Sequence, residues 1–452
     1  MFLPRLSRRT FVGTTVCTAA AALGADILRG RLFGDERPPV RTPRATSGDR
    51  QSEPKWDERL TITVGQKQGD IVGKTEKAIQ AAVDSVARLG GGTVKIAPGT
   101  YQMRNTIWLS SGVRLVGSGP ETILVKSPSV STKLVEDSDW YDQEVTLADA
   151  SGFQVGDGIC LETKNPHNGG RDVFKATLVA RSGSRFKLSK PLRQNFWLAG
   201  GAKISTLFPL LTSEFTEDVA IEDLALDGNA RHNALLDGNY AGCIFLQDCN
   251  RYTIRKVEAR NYNGDGISWQ ICHDVVVENC HSHDNTGLGL HPGSGSQRPL
   301  IRNNRVERNT IGIFFCWGVK YGLAENNQAV DNRDFGVSIG HNDTDNVVRN
   351  NLIQGSGKVG VLFRDESGGK DFWPHRNTIE NNRILNSGPA DGVAVDIQGK
   401  TRGVTIAKND IRESRQPLHR TGIRIGKRVG PVTLTDNRID GFSVAIADQR
   451  KA

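Results

Sequence analysis

From Gly242 to the C-terminus, apolar and polar residues alternate in short bursts, each opening on glycine. The bursts are Gly266-Ile-Ser-Trp, Gly287-Leu-Gly-Leu, Gly312-Ile-Phe-Phe, Gly336-Val-Ser-Ile, Gly360-Val-Leu-Phe, Gly392-Val-Ala-Val and Gly422-Ile-Arg-Ile. Alternation over so few residues marks a short strand with one buried face. The steps between them are 21, 25, 24, 24, 32 and 30 residues, and a near-constant step marks a solenoid. Asn304, Asn327, Asn351, Asn382, Asn409 and Asn437 form a second column between apolar runs, with Cys280 in the same place one coil earlier. Asn tolerates the left-handed conformation of a tight turn, and stacked Asn side chains can bond up the stack as an amide ladder. The period fits a leucine-rich repeat, but the Leu-x-x-Leu-x-Leu spacing is missing. Short Val/Ile strands between turns fit a parallel β-helix, whose core exists only as a stack.

The opening of the chain reads differently. Gly69-Asp70 is followed by Ala78-Ile79-Gln80-Ala81-Ala82, Gly90-Gly91-Gly92-Thr93-Val94, Pro98-Gly99-Thr100-Tyr101 and Gly112-Val113-Arg114-Leu115-Val116-Gly117. This series resembles the start of the pectate-lyase-like superfamily, shared by phage tailspikes and many polysaccharide lyases, hydrolases and epimerases. The resemblance implies an all-β fold, a single-stranded right-handed parallel β-helix whose open end is plugged by a helix. Thr75–Leu89 suits that plug, with Ile79, Val83, Val86 and Leu89 on one side. Where the family often carries an Asp pair before this helix, the chain has Thr75-Glu76. The rhythm breaks over residues 131–210, where alternating runs such as Lys175–Ala180 and Arg185–Leu188 predict an inserted antiparallel β subdomain. Trp140, Tyr141 and Trp197 within it either wall a groove or pack the insert on the solenoid. The expected organisation is a signal over 1–30, a linker over 31–54, cap and first coils over 55–130, the insert over 131–210 and the β-helix over 211–452.

Composition adds exclusions. At 37% hydrophobic and 24% charged, the 452 residues are too apolar for a disordered chain and too polar for a membrane bundle. The 50 glycines have no triplet period, which excludes collagen. Five of the eight net positive charges fall within the first 50 residues. The mild remainder suits an acidic substrate and gives no reason to invoke nucleic acid. Ser7-Arg8-Arg9-Thr10-Phe11 precedes an apolar, Ala-rich stretch too short to span a membrane. It resembles a twin-arginine signal, so the expected partner is the twin-arginine export machinery, with no stable membrane insertion. The expected location is periplasmic or extracellular. Thr14-Thr15-Val16 before Cys17 is a poor lipobox. Cys243, Cys249, Cys272, Cys280 and Cys316 follow the repeat, as stacked buried thiols would, with room for one disulfide.

Chemistry must sit on outward positions, which recur about every 4.8 Å up the stack. Counting four residues from each glycine gives Gln270, His291, Cys316, Gly340, Arg364, Asp396 and Gly426. The next position gives Trp317, His341 and Asp365. The expected catalytic residues are His341, Arg364, Asp365 and His291. Arg364 would neutralise a carboxylate in a bidentate fork, and either histidine would exchange the proton. Trp317 would stack on sugar, with Gln270, Asp396, Glu366 and Lys370 as further substrate contacts. Lys370 belongs to a loop inserted after Gly360. Arg364 and Asp396 on adjacent rungs also read as a plain surface ion pair. Cys272-His273, Cys280-His281 and His283 make a weak zinc set, because alternation sends neighbours to opposite faces. Asp343 with Asp345, or Asp365 with Glu366, could hold calcium, though nothing in the sequence requires it. Asp223, Asp227 and Asp237 are secondary candidates.

The leading expectation is an exported lyase that cleaves an acidic, uronate-containing polysaccharide by β-elimination. Uronate epimerisation starts with the same proton abstraction. A glycoside hydrolase needs two facing carboxylates, for which only Asp365 and Asp396 offer themselves. A non-catalytic glycan-binding or structural surface solenoid is the remaining alternative.

Overall fold

A computed structural model describes residues 37–38, 53–416 and 419–451. The signal and nearly all of the linker lie outside the described residues. Among the described residues no helix is long and apolar enough to cross a membrane.

Each coil contributes three short strands, exemplified by Asp265–Gln270, Val276–Glu278 and His281–His283. Strands of successive coils pair in parallel, forming one eleven-stranded sheet and a 22-stranded sheet that carries the other two strands of each coil. Ile267, Leu290, Ile313, Val337, Val361, Val395 and Ile423 align in one inward row, all fully buried. Burying each such side chain is worth about 1.5–3 kcal/mol, and only stacking achieves it. This row corrects the sequence register. Gly289 and Ala394, not Gly287 and Gly392, stand where the other coils have Gly266, Gly312, Gly336, Gly360 and Gly422. Two glycines in Gly287-Leu-Gly289 made the shift invisible, because a two-residue slip preserves the inside/outside pattern.

The Asn column is a ladder, as expected. Asn304 Nδ2 donates to Asn327 Oδ1 at 2.9 Å, and the chain continues through Asn351, Asn382, Asn409 and Asn437 at 2.9–3.0 Å. Cys280 caps it, its N–H donating to Asn304 Oδ1. The turn conformation belongs elsewhere, however. The left-handed residues are the preceding ones, Asn303, Asn326, Asn350, Asn381, Lys408 and Asp436, while the ladder residues turn inward. Shorter ladders also join Asn285, Asn309 and Asn332, and Asn346 with Asn377.

The plug helix spans Glu76–Arg88 and presses Ile79, Ala82, Val83 and Val86 onto the first coils. Leu89 lies past its end at 71% exposure, outside the apolar stripe predicted for it. The insert is a six-stranded antiparallel sheet, from Ser131–Lys133 to Lys203–Ser205, with its own core around Leu161, Phe174, Phe186 and Phe196. Trp140 and Tyr141 remain exposed against each other, and Trp197 Nε1 donates to Asp139. Two cations pin the insert to the solenoid. Arg104 holds Asp157 through two hydrogen bonds of 2.7 and 2.8 Å. Lys175 Nζ donates to the Tyr240 carbonyl over the Phe245 ring.

Candidate active site

The corrected register sorts the predicted outward column into two rows on the eleven-stranded sheet. Ser268, His291, Phe314, Ser338, Leu362, Asp396 and Arg424 make one row. Two residues further along each strand, Gln270 is beside Gly293, and Gly293 is beside Cys316. His291 and Asp396 therefore do not share a row with Gln270 and Arg364.

His291 is 3% exposed. Its Nδ1 lies 2.8 Å from Asp265 Oδ2, and Asp265 Oδ1 accepts from the Leu288 N–H at 2.8 Å. A carboxylate only accepts, so Nδ1 carries a proton, and the neutral form of the ring has its lone pair on Nε2. That Nε2 is buried and has no partner. The same network continues through Ser268, whose hydroxyl donates to the Gly238 carbonyl and accepts from Gln270 Nε2 at 3.1 Å. Gln270 Oε1 is a second buried acceptor without a partner. Gly238 belongs to the segment after Ala230–His232 that roofs this row; a Cβ there would strike the Asp265 carboxylate.

Phe314 separates this dyad from the next cation. His291 meets its ring edge-on at 5.3 Å, and the Arg364 guanidinium lies over it at 4.2 Å. Arg364 is 6% exposed and leans back along the stack. It donates to Glu366 Oε2 and Ser338 Oγ at 2.8 Å, and to the Phe315 carbonyl at 3.0 Å. Gly340 leaves room for the guanidinium where it lies, since a Cβ there would meet Nη2 at 2.0 Å. Asp343 lies 3.7 Å from Arg364 and is wholly buried. It accepts the N–H groups of Gly318, Val319 and Gly340, yet burial pushes its carboxyl up to about 6.

His341 occupies the corner beside this row. It stacks on Trp317 at 4.7 Å, meets Phe372 edge-on, and accepts the Gly368 N–H on Nδ1 at 2.6 Å. Desolvation lowers its pKa; Glu366 and Arg364 are the charges that act on it. Trp317 is 59% exposed and borders a cleft of about 430 Å³ with Ser294, Gln297, Lys320 and Asn342.

The remaining expected residues are engaged elsewhere. Asp396 binds Arg424, not Arg364, and accepts from Gln398. Asp365 binds Arg428. Lys370 is exposed in the inserted loop. Neither acidic pair considered for calcium is left as a pair of open oxygens. Asp345 is held by Arg376 through two bonds, Asp343 by backbone, Asp365 by Arg428 and Glu366 by Arg364. Among the secondary candidates, Asp227 pairs with Arg260, and Asp223 lies 3.8 Å from Lys256. The six described cysteines are free thiols, and Cys280 points into the ladder. Sequence reasoning overlooked Asp265, Ser268 and Phe314 as members of the site. The signal was present, because Asp265 precedes Gly266 and faces His291 once Gly289 sets the register.

A model of the right-handed β-helix region matches residues 225–372. A second, described as rhamnogalacturonase A/epimerase, pectate lyase-like, matches residues 65–159. Among solved structures, the A-module of mannuronan C-5 epimerase AlgE4 from Azotobacter vinelandii superposes with a TM-score of 0.54 at 18% identity, covering 85% of this chain and 97% of that one. The chain is a right-handed parallel β-helix. Mannuronan C5-epimerases AlgE1 and AlgE2 of Azotobacter vinelandii are each 23% identical to this β-helix chain, over 297 and 305 residues and 66% of its length. Those stretches are only 15% and 22% of the two relatives' own lengths.

Proposed function

We propose that this protein acts on a uronate-containing polysaccharide and begins by removing the C5 proton of a uronate residue. The observation that carries this reading is the Asp265–His291 dyad with its buried, unpartnered Nε2. An imidazole oriented by a carboxylate, with its lone pair free, is a general base suited to neutral pH. Asp265 fixes the tautomer and stabilises the imidazolium that forms. Arg364, across Phe314, bonds through three of its five N–H groups and keeps donors for the uronate carboxylate, whose neutralisation makes the C5 proton more acidic. Gln270 Oε1 takes a sugar hydroxyl, and the Trp317–His341 stack gives a neighbouring sugar an apolar face.

The carbanion has two fates on this scaffold. Return of a proton from the other face of the ring inverts C5; loss of the C4 substituent cleaves the chain. The first is supported by the names of the relatives, the second by the sequence reading, and both need the same base and the same cation. Hydrolysis finds less support, since Asp365 and Asp396 are each held by an arginine.

Incubation with mannuronate, guluronate and galacturonate polymers in D2O tests the reading. Deuterium at C5 with chain length kept indicates epimerisation, and ultraviolet absorbance of an unsaturated product indicates elimination. His291→Ala should abolish either signal. New reducing ends without absorbance, or binding without any change in the polymer, would overturn the proposal. The protein acts outside the cytoplasm on this reading. Replacing Arg8 and Arg9 by Lys should leave it in the cytoplasmic fraction; unchanged export would rule out the twin-arginine route.

A further inference from the structure

A second cluster of ionisable side chains lies on the larger sheet, away from the His291 row. On the strand His281–His283 the two histidines flank Ser282, so both rings project from the same face. Parallel pairing sets Glu258 beside His281 in the coil before, and Glu307 beside His283 in the coil after. The rings stack with centroids 4.0 Å apart. One ligand atom each from Glu258, His281 and His283 falls within 4.8 Å of the others.

His283 Nδ1 lies 2.6 Å from Asp284 Oδ2, and His281 Nε2 lies 3.0 Å from Glu307 Oε1. Each carboxylate takes an N–H, so each neutral ring keeps one lone pair. For His283 that lone pair is on Nε2, which faces Glu258 Oε1 at 3.0 Å. Two acceptors at hydrogen-bond distance repel unless a cation lies between them, either a second proton or a metal ion. Carboxylates that fix the tautomer from behind are the usual outer partners of metal-binding histidines. The local charge is balanced, with Glu258, Asp284 and Glu307 set against Arg260, Arg305 and Arg308. Arg260 engages Glu258 only through Oε1, which leaves Oε2 for a ligand bond.

We infer that Glu258, His281 and His283 bind one divalent transition-metal ion, zinc by the match of donors, as a pin across successive coils of the solenoid. Nitrogen donors exclude calcium and magnesium, which take oxygen ligands, and two imidazoles with one carboxylate suit zinc. Tetrahedral zinc needs donors about 3.3 Å apart, so the cluster closes by small side-chain rotations. Asp284 and Glu307 are positioning residues, each holding a ring by its other nitrogen.

The test uses the full chain, stripped with a chelator and titrated with zinc against a chromophoric competitor. One equivalent should bind, raise the melting temperature, and be replaceable by cobalt(II) with visible d–d bands. The double variant His281→Gln/His283→Gln keeps hydrogen-bonding groups on the strand and should lose that equivalent, while its metal-free melting temperature stays within a few degrees of the parent. Glu307→Gln should weaken binding about 10–100-fold without abolishing it. His167→Ala, on the exposed insert, should bind as the parent does. Absence of a stoichiometric equivalent in the parent would mean that a shared proton fills the place, and persistence in the double variant would mean that the ion binds elsewhere; either result overturns the proposal. Neither result bears on C5 chemistry at His291.

Discussion

Asp343 shows how much a single residue is asked to do. Three backbone N–H groups converge on its carboxylate, and it lies within charge range of Arg364, but burial dominates and raises its pKa from 3.8 to about 6. A carboxyl whose folded pKa exceeds its unfolded one favours the folded state most below the unfolded value, and that advantage drains away as pH rises through the folded value. The stability of the parent relative to Asp343→Asn should therefore fall between pH 4 and pH 6 and level off above. Denaturant unfolding at several pH values measures it, and a difference that is flat or grows with pH would refute the assignment. On the function proposed above, Asp265→Asn should lower kcat by about 10²–10⁴-fold with little change in KM, because it frees the wrong tautomer rather than a binding contact. Single residues were legible unevenly. His291 and Arg364 could be singled out as candidates because charged groups on outward positions stand out against Val and Ile. Asp265 was overlooked, since its role depends on which coil it faces, and that needed the register.

The element scale is where the sequence spoke most clearly. A strand that buries one face must alternate, and a coil that stacks must repeat, so both show in one dimension. The ladder was equally plain, but the turn was misassigned by one residue, because Asn suits both the left-handed position and the buried amide position, and the pairs Asn303-Asn304, Asn326-Asn327, Asn350-Asn351 and Asn381-Asn382 supply one of each. Ladder energetics are separable from turn energetics. Asn351 Nδ2 donates to the Ala324 carbonyl and Asn382 Oδ1, while its Oδ1 accepts from the N–H and Nδ2 of Asn327. Asn351→Ala leaves buried groups unsatisfied and should cost about 1–3 kcal/mol. Asn437→Ala, at the partly exposed end of the ladder, should cost less. Thermal unfolding of the two variants gives the comparison, and equal losses would mean the ladder's burial is not what matters.

At the scale of the whole molecule, the solenoid supplies rows and the insert is tied to the segment that covers one of them. The sequence could locate the insert by its broken rhythm but could not show what it touches, because contacts between a long excursion and a distant coil leave no periodic trace. The contact that matters is Lys175. It crosses from the insert to the Tyr240 carbonyl, in the segment whose Gly238 carbonyl is bonded to Ser268 beside His291. Burial lowers its amine to about 8, so the charge is held at a cost that the carbonyl and the Phe245 ring offset only in part. His291 Nε2 is buried, so the function proposed above requires this roof to lift before a polymer reaches it. Lys175→Met keeps the packing of the stem but removes the tether. It should make residues 233–241 more susceptible to limited proteolysis and shift KM by about tenfold, corresponding to about 1.4 kcal/mol, while the deuterium exchange step at saturating polymer changes little. An unchanged KM with an unchanged cleavage pattern would show that the roof is held by the solenoid alone, and that the insert serves some end other than admitting polymer to the His291 row.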